Sequence, residues 1–142
     1  MANHRAECFG TRGEQLADAA ESLIGTRFRL NGRDPASGLD CVGLVAVSLK
    51  IIGINSRPPE GYRLRNPAPE RWLKFAEISG LTAVGGKIAV GDIVLQKVGP
   101  AQQHLIVIHR EECMIHAHAG LGRVVRQRMA LPLTSIAHWR LL

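Results

Sequence analysis

Apolar residues recur at helical spacing up to about residue 52, and after Gly85-Gly86 the signal changes to short strand-like runs. Thr11-Arg12-Gly13-Glu14 fits a capping box; Leu16, Ala19, Ala20 and Leu23 then follow on one helical face, and Gly25 is a natural stop. The polar stretch from Thr26 to Leu39, with Gly32, Pro35 and Gly38, predicts an irregular loop. Asp40 suits the N-cap of a second helix running to about Ile52 and closed by Gly53. Val42, Leu44, Val45, Val47 and Leu49 make that helix apolar nearly all round, which predicts a central position.

Pro58, Pro59, Pro67 and Pro69 predict a loop over residues 55–69, and Glu70 to Ile78 fits a short helix carrying Trp72 and Phe75. Strands are predicted at Ile93–Lys97, Leu105–Ile108 and Met114–His118, with another opening at Arg123-Val124-Val125. Helices first and strands afterwards imply an α+β domain with an antiparallel sheet, a single domain over residues 1–142. No internal repeat or low-complexity segment interrupts it.

Composition narrows the function classes. Apolar residues make up 46% and charged ones 21%, which is ordinary for a globular domain, while aromatics at 4% leave the core to Leu, Ile, Val and Ala. A net charge of +6 favours an anionic partner. The basic residues are scattered and little interleaved with aromatics, which argues against nucleic acid. No segment approaches the length of a membrane span, and Met1–Glu7 has no apolar stretch of the signal-sequence kind. The expectation is a chain made in the cytoplasm, without membrane insertion, that needs another route if it works outside the cell.

Cys41 carries the chemistry. It lies at the start of the second helix, where unpaired N–H groups are expected to favour the thiolate and to receive the charge of an oxyanion. The plainer reading is a small buried hydrophobe. Cys8, Cys41 and Cys113 form an odd set without paired spacing, so a disulfide framework is not expected. His104 opens an apolar strand; His116 and His118 share one face of the next, and spacing alone does not choose between them. Strands 104–109 and 113–118 are expected to form a hairpin around Arg110-Glu111-Glu112; a three-residue turn, or a bulge to the same effect, puts His104 and His116 on one face, whereas a two-residue turn puts them on opposite faces. Zinc is the rival use of Cys41, Cys113, His104, His109, His116 and His118, but the spacings lack a C-x-x-C pair or an H-E-x-x-H, so neither a metal nor another cofactor is expected. Cys8 and Cys113 read as bystanders, and His4, His109 and His138 as surface residues.

Gly25-Thr26-Arg27-Phe28-Arg29-Leu30, Gly38-Leu39-Asp40-Cys41-Val42-Gly43-Leu44, Gly91-Asp92-Ile93-Val94, His104-Leu105-Ile106-Val107-Ile108 and Met114-Ile115-His116-Ala117 together resemble, in order, the NlpC-type cell-wall peptidases. The resemblance covers residues 14 to 126. It implies a papain-like fold, N-terminal helices on a small antiparallel sheet, with Cys41 as nucleophile, His104 as general base and His116 orienting the imidazole. It implies hydrolysis of peptidoglycan stem peptides, at the family's bond between D-glutamate and diaminopimelate. Phe28 stands where the family often has tyrosine, and Val42 and Ile106 replace smaller residues, which is expected to narrow the cleft. The length and the Gly-Arg-Asp-Pro loop most resemble the branch encoded with phage tails and gene transfer agents, whose members sit beside other tail-tip or baseplate proteins. A tail-tip module that binds the wall without cutting, and an amidase or acyltransferase using the same triad, are the alternatives.

Overall fold

A computed structural model describes residues 10–56, 76–77, 79–99, 102–130, 133 and 135–142. The first helix, α1 (Arg12–Glu21), starts at the expected capping box: the Glu14 N–H donates to Thr11 Oγ1 at 3.1 Å and the Thr11 N–H to Glu14 Oε1 at 3.2 Å. Its buried face is Leu16, Ala17, Ala19 and Ala20, small enough for close approach to the rest of the core. Two short strands, β1 (Arg33–Asp34) and β2 (Gly38–Leu39), pair as a hairpin inside the stretch expected to be irregular. Asp34 makes that turn, its Oδ1 accepting from the Ala36 N–H, and Pro35 sits between them.

The second helix, α2 (Cys41–Ile51), is central, as its composition predicts; Val42, Leu44, Val45 and Leu49 are fully buried. Each fully buried Val or Leu contributes on the order of 1.5–3 kcal/mol. Asp40 caps it by accepting the Gly43 N–H on Oδ1 at 2.9 Å. The same carboxylate accepts the Asn31 N–H on Oδ2 at 2.6 Å and Arg33 Nη1 on Oδ1 at 3.0 Å. One side chain therefore starts the helix and fastens the preceding loop to it. Gly43 completes the junction, since a Cβ there would overlap the Gly32 carbonyl oxygen.

The remaining strands are β3 (Thr82–Ala83), β4 (Ile93–Gly99), β5 (Gln102–Ile108), β6 (Cys113–His118), β7 (Arg123–Arg128) and β8 (Ser135–Arg140). They form an antiparallel sheet in the order β3-β8-β4-β5-β6-β7. Leu95, Leu105, Val107, Ile115, Ala117 and Val124 join α1 and α2 in the main core. Val94, Ile106, Ile108 and Met114 form a second cluster with Met129. The alternation is that of a sheet covered on both faces.

Two strands, β3 and β8, have no counterpart in the expectation. The β8 strand returns from the C-terminal end to pair with β4, and the carboxylate of Asp92 holds it there. Arg140 donates to Asp92 from Nε at 2.8 Å and Nη2 at 2.9 Å, and His138 Nε2 contacts the same group. Burial alone would raise this carboxyl's pKa; the hydrogen bonds from Arg140, His138 and the Ala89 N–H outweigh it and hold it below the usual range. The expected short helix over 70–78 and the proline-rich 57–69 lie outside the described residues, except that Ala76 and Glu77 are helical.

Candidate functional site

Cys41 is the first residue of α2 and is half-buried. The backbone N–H groups of Leu105 and Val42 lie near enough to its sulfur to favour the thiolate. The Leu105 contact locates it in the sheet. The Ile108 N–H bonds to the Asp92 carbonyl on the β4 side, so alternation points the Leu105 N–H towards β6. Pairing of β5 with β6, however, runs only through Val107↔Ile115 and Ile108↔Met114. Beyond that point the ladder is not continued, and the Leu105 N–H lies near the Cys41 sulfur.

The β5–β6 turn has the length the shared-face geometry requires. The His109 N–H donates to the Cys113 carbonyl at 2.8 Å across Arg110, Glu111 and Glu112, and the last two have φ of 61° and 56°. Paired positions then differ by an even number, and His104 and His116 lie on one face. They meet directly: His104 Nε2 and His116 Nδ1 are 2.8 Å apart, with ring centroids 5.0 Å apart and planes at 76°. His116 Nε2 is in turn 2.8 Å from Gln127 Oε1.

Gln127 was not among the residues singled out from the sequence. On β7, Val125 pairs with His116 and Gln127 with Met114, so Gln127 is the diagonal same-face neighbour of His116. A polar residue two positions past the one facing His116 is the signal that would have found it. His118 is held differently. Its Nδ1 accepts the Leu121 N–H at 3.0 Å, tying it to the turn before β7, and its ring is 5.4 Å from that of His116. His116 rather than His118 bonds His104.

The electrostatics reverse one expectation. Burial, joined by the negative charge of Asp40, pushes the Cys41 thiol up to about 12; the N–H groups of Leu105 and Val42 and the charge of Arg33 oppose this and lose. Burial, together with His116 and His118, pushes His104 down to about 3. Burial also lowers His116, against the raising effect of its bond to Gln127. At rest the thiol and the imidazole are both neutral. The helix start supplies N–H donors, but desolvation outweighs them.

Other expected roles change as well. Val42 and Ile106 are fully buried in the two core clusters, so they fill the interior instead of narrowing an open cleft. Phe28 packs half-buried against the main core. His109 is 3% exposed and lies 2.7 Å from Glu21 Oε2, where a surface residue was expected. His138 pairs with Asp92 and is likewise more than a surface group. Asp18, Glu21 and His109 bring ligand-type atoms within 4.8 Å of one another, yet Arg110 Nη1 is already 2.9 Å from Asp18 Oδ1. That cluster is an ion-pair network fastening α1 to the β5–β6 turn. Cys113 donates to the Glu111 carbonyl at 3.5 Å, and His4 and Cys8 lie outside the described residues.

By sequence the chain matches no family model and no curated protein. By structure it is similar to NlpC2 from Trichomonas vaginalis, with a TM-score of 0.67 at 19% identity over 91% of this chain. The chain spans 46% of that protein's length. The NlpC/p60 domain of the peptidoglycan hydrolase SagA superposes with a TM-score of 0.59 at 21% identity, covering 83% of this chain and 90% of that domain. A P60 domain from a Mycobacterium avium subspecies paratuberculosis antigen gives 0.63 at 16% identity, covering 91% of this chain and 93% of that one. The architecture is the papain-like α+β fold of NlpC/p60 domains.

Proposed function

We propose that the chain is a cysteine peptidase that cuts peptidoglycan stem peptides. The observation that carries the reading is the closeness of the Cys41 sulfur to the Leu105 N–H, one residue from a His104 ring already bonded to His116. The Nε2 atom of His104 is engaged by His116, so Nδ1 is the nitrogen that acts as base. Because both groups rest neutral, the thiol proton passes to Nδ1 as the sulfur attacks the amide carbonyl. The Gly43 and Leu44 N–H groups are committed to Asp40 and that of Val42 faces the sulfur, so that of Cys41 holds the oxyanion. The imidazolium then protonates the leaving amine, and water hydrolyses the thioester.

The NlpC/p60 likeness supports a wall substrate, and the charge of +6 suits an anionic polymer at the level of steering. We place the scissile bond between D-glutamate and diaminopimelate and the protein at the tip of a phage-like tail, on the resemblance of its sequence elements. The neutral, buried thiol favours a second reading, a wall-binding module that keeps the fold without turnover.

Digestion of purified peptidoglycan separates the two. The wild-type protein releases peptide fragments that mass spectrometry identifies and Cys41→Ala releases none. Absence of new fragments with the wild type, tested also within the assembled particle, leaves the binding module.

A further inference from the structure

We infer that Gln127 is a positioning residue that fixes which nitrogen of each histidine carries the proton, and with it whether His104 presents a base to Cys41. The inference rests on the reading of Cys41 and His104 as the reacting pair. Three strands each contribute one side chain to a single line: His104 from β5, His116 from β6 and Gln127 from β7, joined by contacts of 2.8 Å and 2.8 Å.

Neutral imidazole has one donor and one acceptor nitrogen, so the direction of one bond dictates the next. Gln127 presents Oε1, which only accepts, so His116 carries its proton on Nε2. His116 Nδ1 is then an acceptor and His104 must donate to it from Nε2. That leaves a lone pair on His104 Nδ1, the state a general base requires.

Turning the Gln127 amide over keeps every bond but reverses each one. The amide N–H would donate to His116 Nε2, His116 Nδ1–H would donate to His104 Nε2, and His104 Nδ1 would carry a proton. In that sense His104 cannot accept the thiol proton. A glutamine allows both senses, whereas a carboxylate at this position allows only the working one and an ammonium only the idle one. The flanking Arg126 and Arg128 are exposed, as is Gln127, so the position lies at the surface and tolerates a change of side chain.

The test uses the full chain with 15N-labelled histidine and long-range proton–nitrogen spectra near neutral pH. The wild type and Gln127→Glu should show His104 and His116 both protonated on Nε2. Gln127→Lys should move both protons to Nδ1 and lower kcat by about 10- to 100-fold with little change in KM, the range expected for reversing a charge-assisted hydrogen bond. Protons on Nδ1 in the wild type, or the same tautomers in all three proteins, overturn the inference. The spectra need no turnover. The expected tautomers in a wild type that cuts no peptidoglycan would sustain the relay and remove only the hydrolase reading.

Discussion

Cys41 should react slowly with iodoacetamide at neutral pH, because its proton is held by burial and by Asp40. At a pKa of about 12 the thiolate is about one part in 10⁵ at pH 7, against about 3% for an ordinary thiol near 8.5. That is about 3,000-fold less of the reacting species. A thiolate of higher pKa is the better nucleophile, and a Brønsted slope near 0.45 returns about 40-fold over this interval. The net deficit is about two orders of magnitude. A variant with Cys8→Ser and Cys113→Ser isolates the one thiol, and mass spectrometry follows its alkylation from pH 6 to 10.5 beside a cysteine peptide. The rate should climb steadily with pH across that range without levelling. A plateau below pH 8, or labelling faster than the peptide at pH 7, would mean that a thiolate–imidazolium pair exists at rest and that attraction between the two groups outweighs their desolvation.

Gly43→Ala should destabilise the fold by about 1–3 kcal/mol in urea unfolding, since the added methyl meets the Gly32 backbone and not a movable side chain. Asp92→Ala leaves Arg140 and His138 facing an uncharged gap and should cost about 3 kcal/mol, the low end for a broken buried pair because Arg140 is 32% exposed. Acid should weaken the protein through His104. Its folded pKa of about 3 lies below the unfolded value, so stability is whole above about 6.5 and falls by about 1.4 kcal/mol per pH unit between there and 3. His104→Asn should flatten that slope in denaturation curves taken from pH 7 to 4.

The features legible in the sequence are those set by neighbours along the chain. The Thr11–Glu14 box and the Asp40 cap depend on residues three apart, and both are present. The shared face of His104 and His116 hung on the turn length, and the His109–Cys113 closure meets that condition. What escaped depends on partners distant in sequence. The β8 strand is held by an ion pair spanning Asp92 and Arg140, and nothing in Ser135–Arg140 alone announces it. The thiol's pKa was misjudged because helix-end donors are visible in sequence whereas enclosure by the sheet is not. Gln127 was missed because its role needs the register of β6 with β7.

The strand β7 ends the sheet among the described residues, and its outer edge is only partly covered. Backbone bonds from Gly25, Phe28 and Val124 cover the beginning of the strand, through the 25–28 segment. Arg128 stands exposed along the rest, while the Arg126 guanidinium turns back to the Arg110 carbonyl and Glu111. A second molecule approaching edge to edge would bring the same Arg128 charge against it. Repulsion of that kind discourages intermolecular strand addition, and it weakens as salt rises. Concentrated stocks should therefore be held at low ionic strength to stay monodisperse.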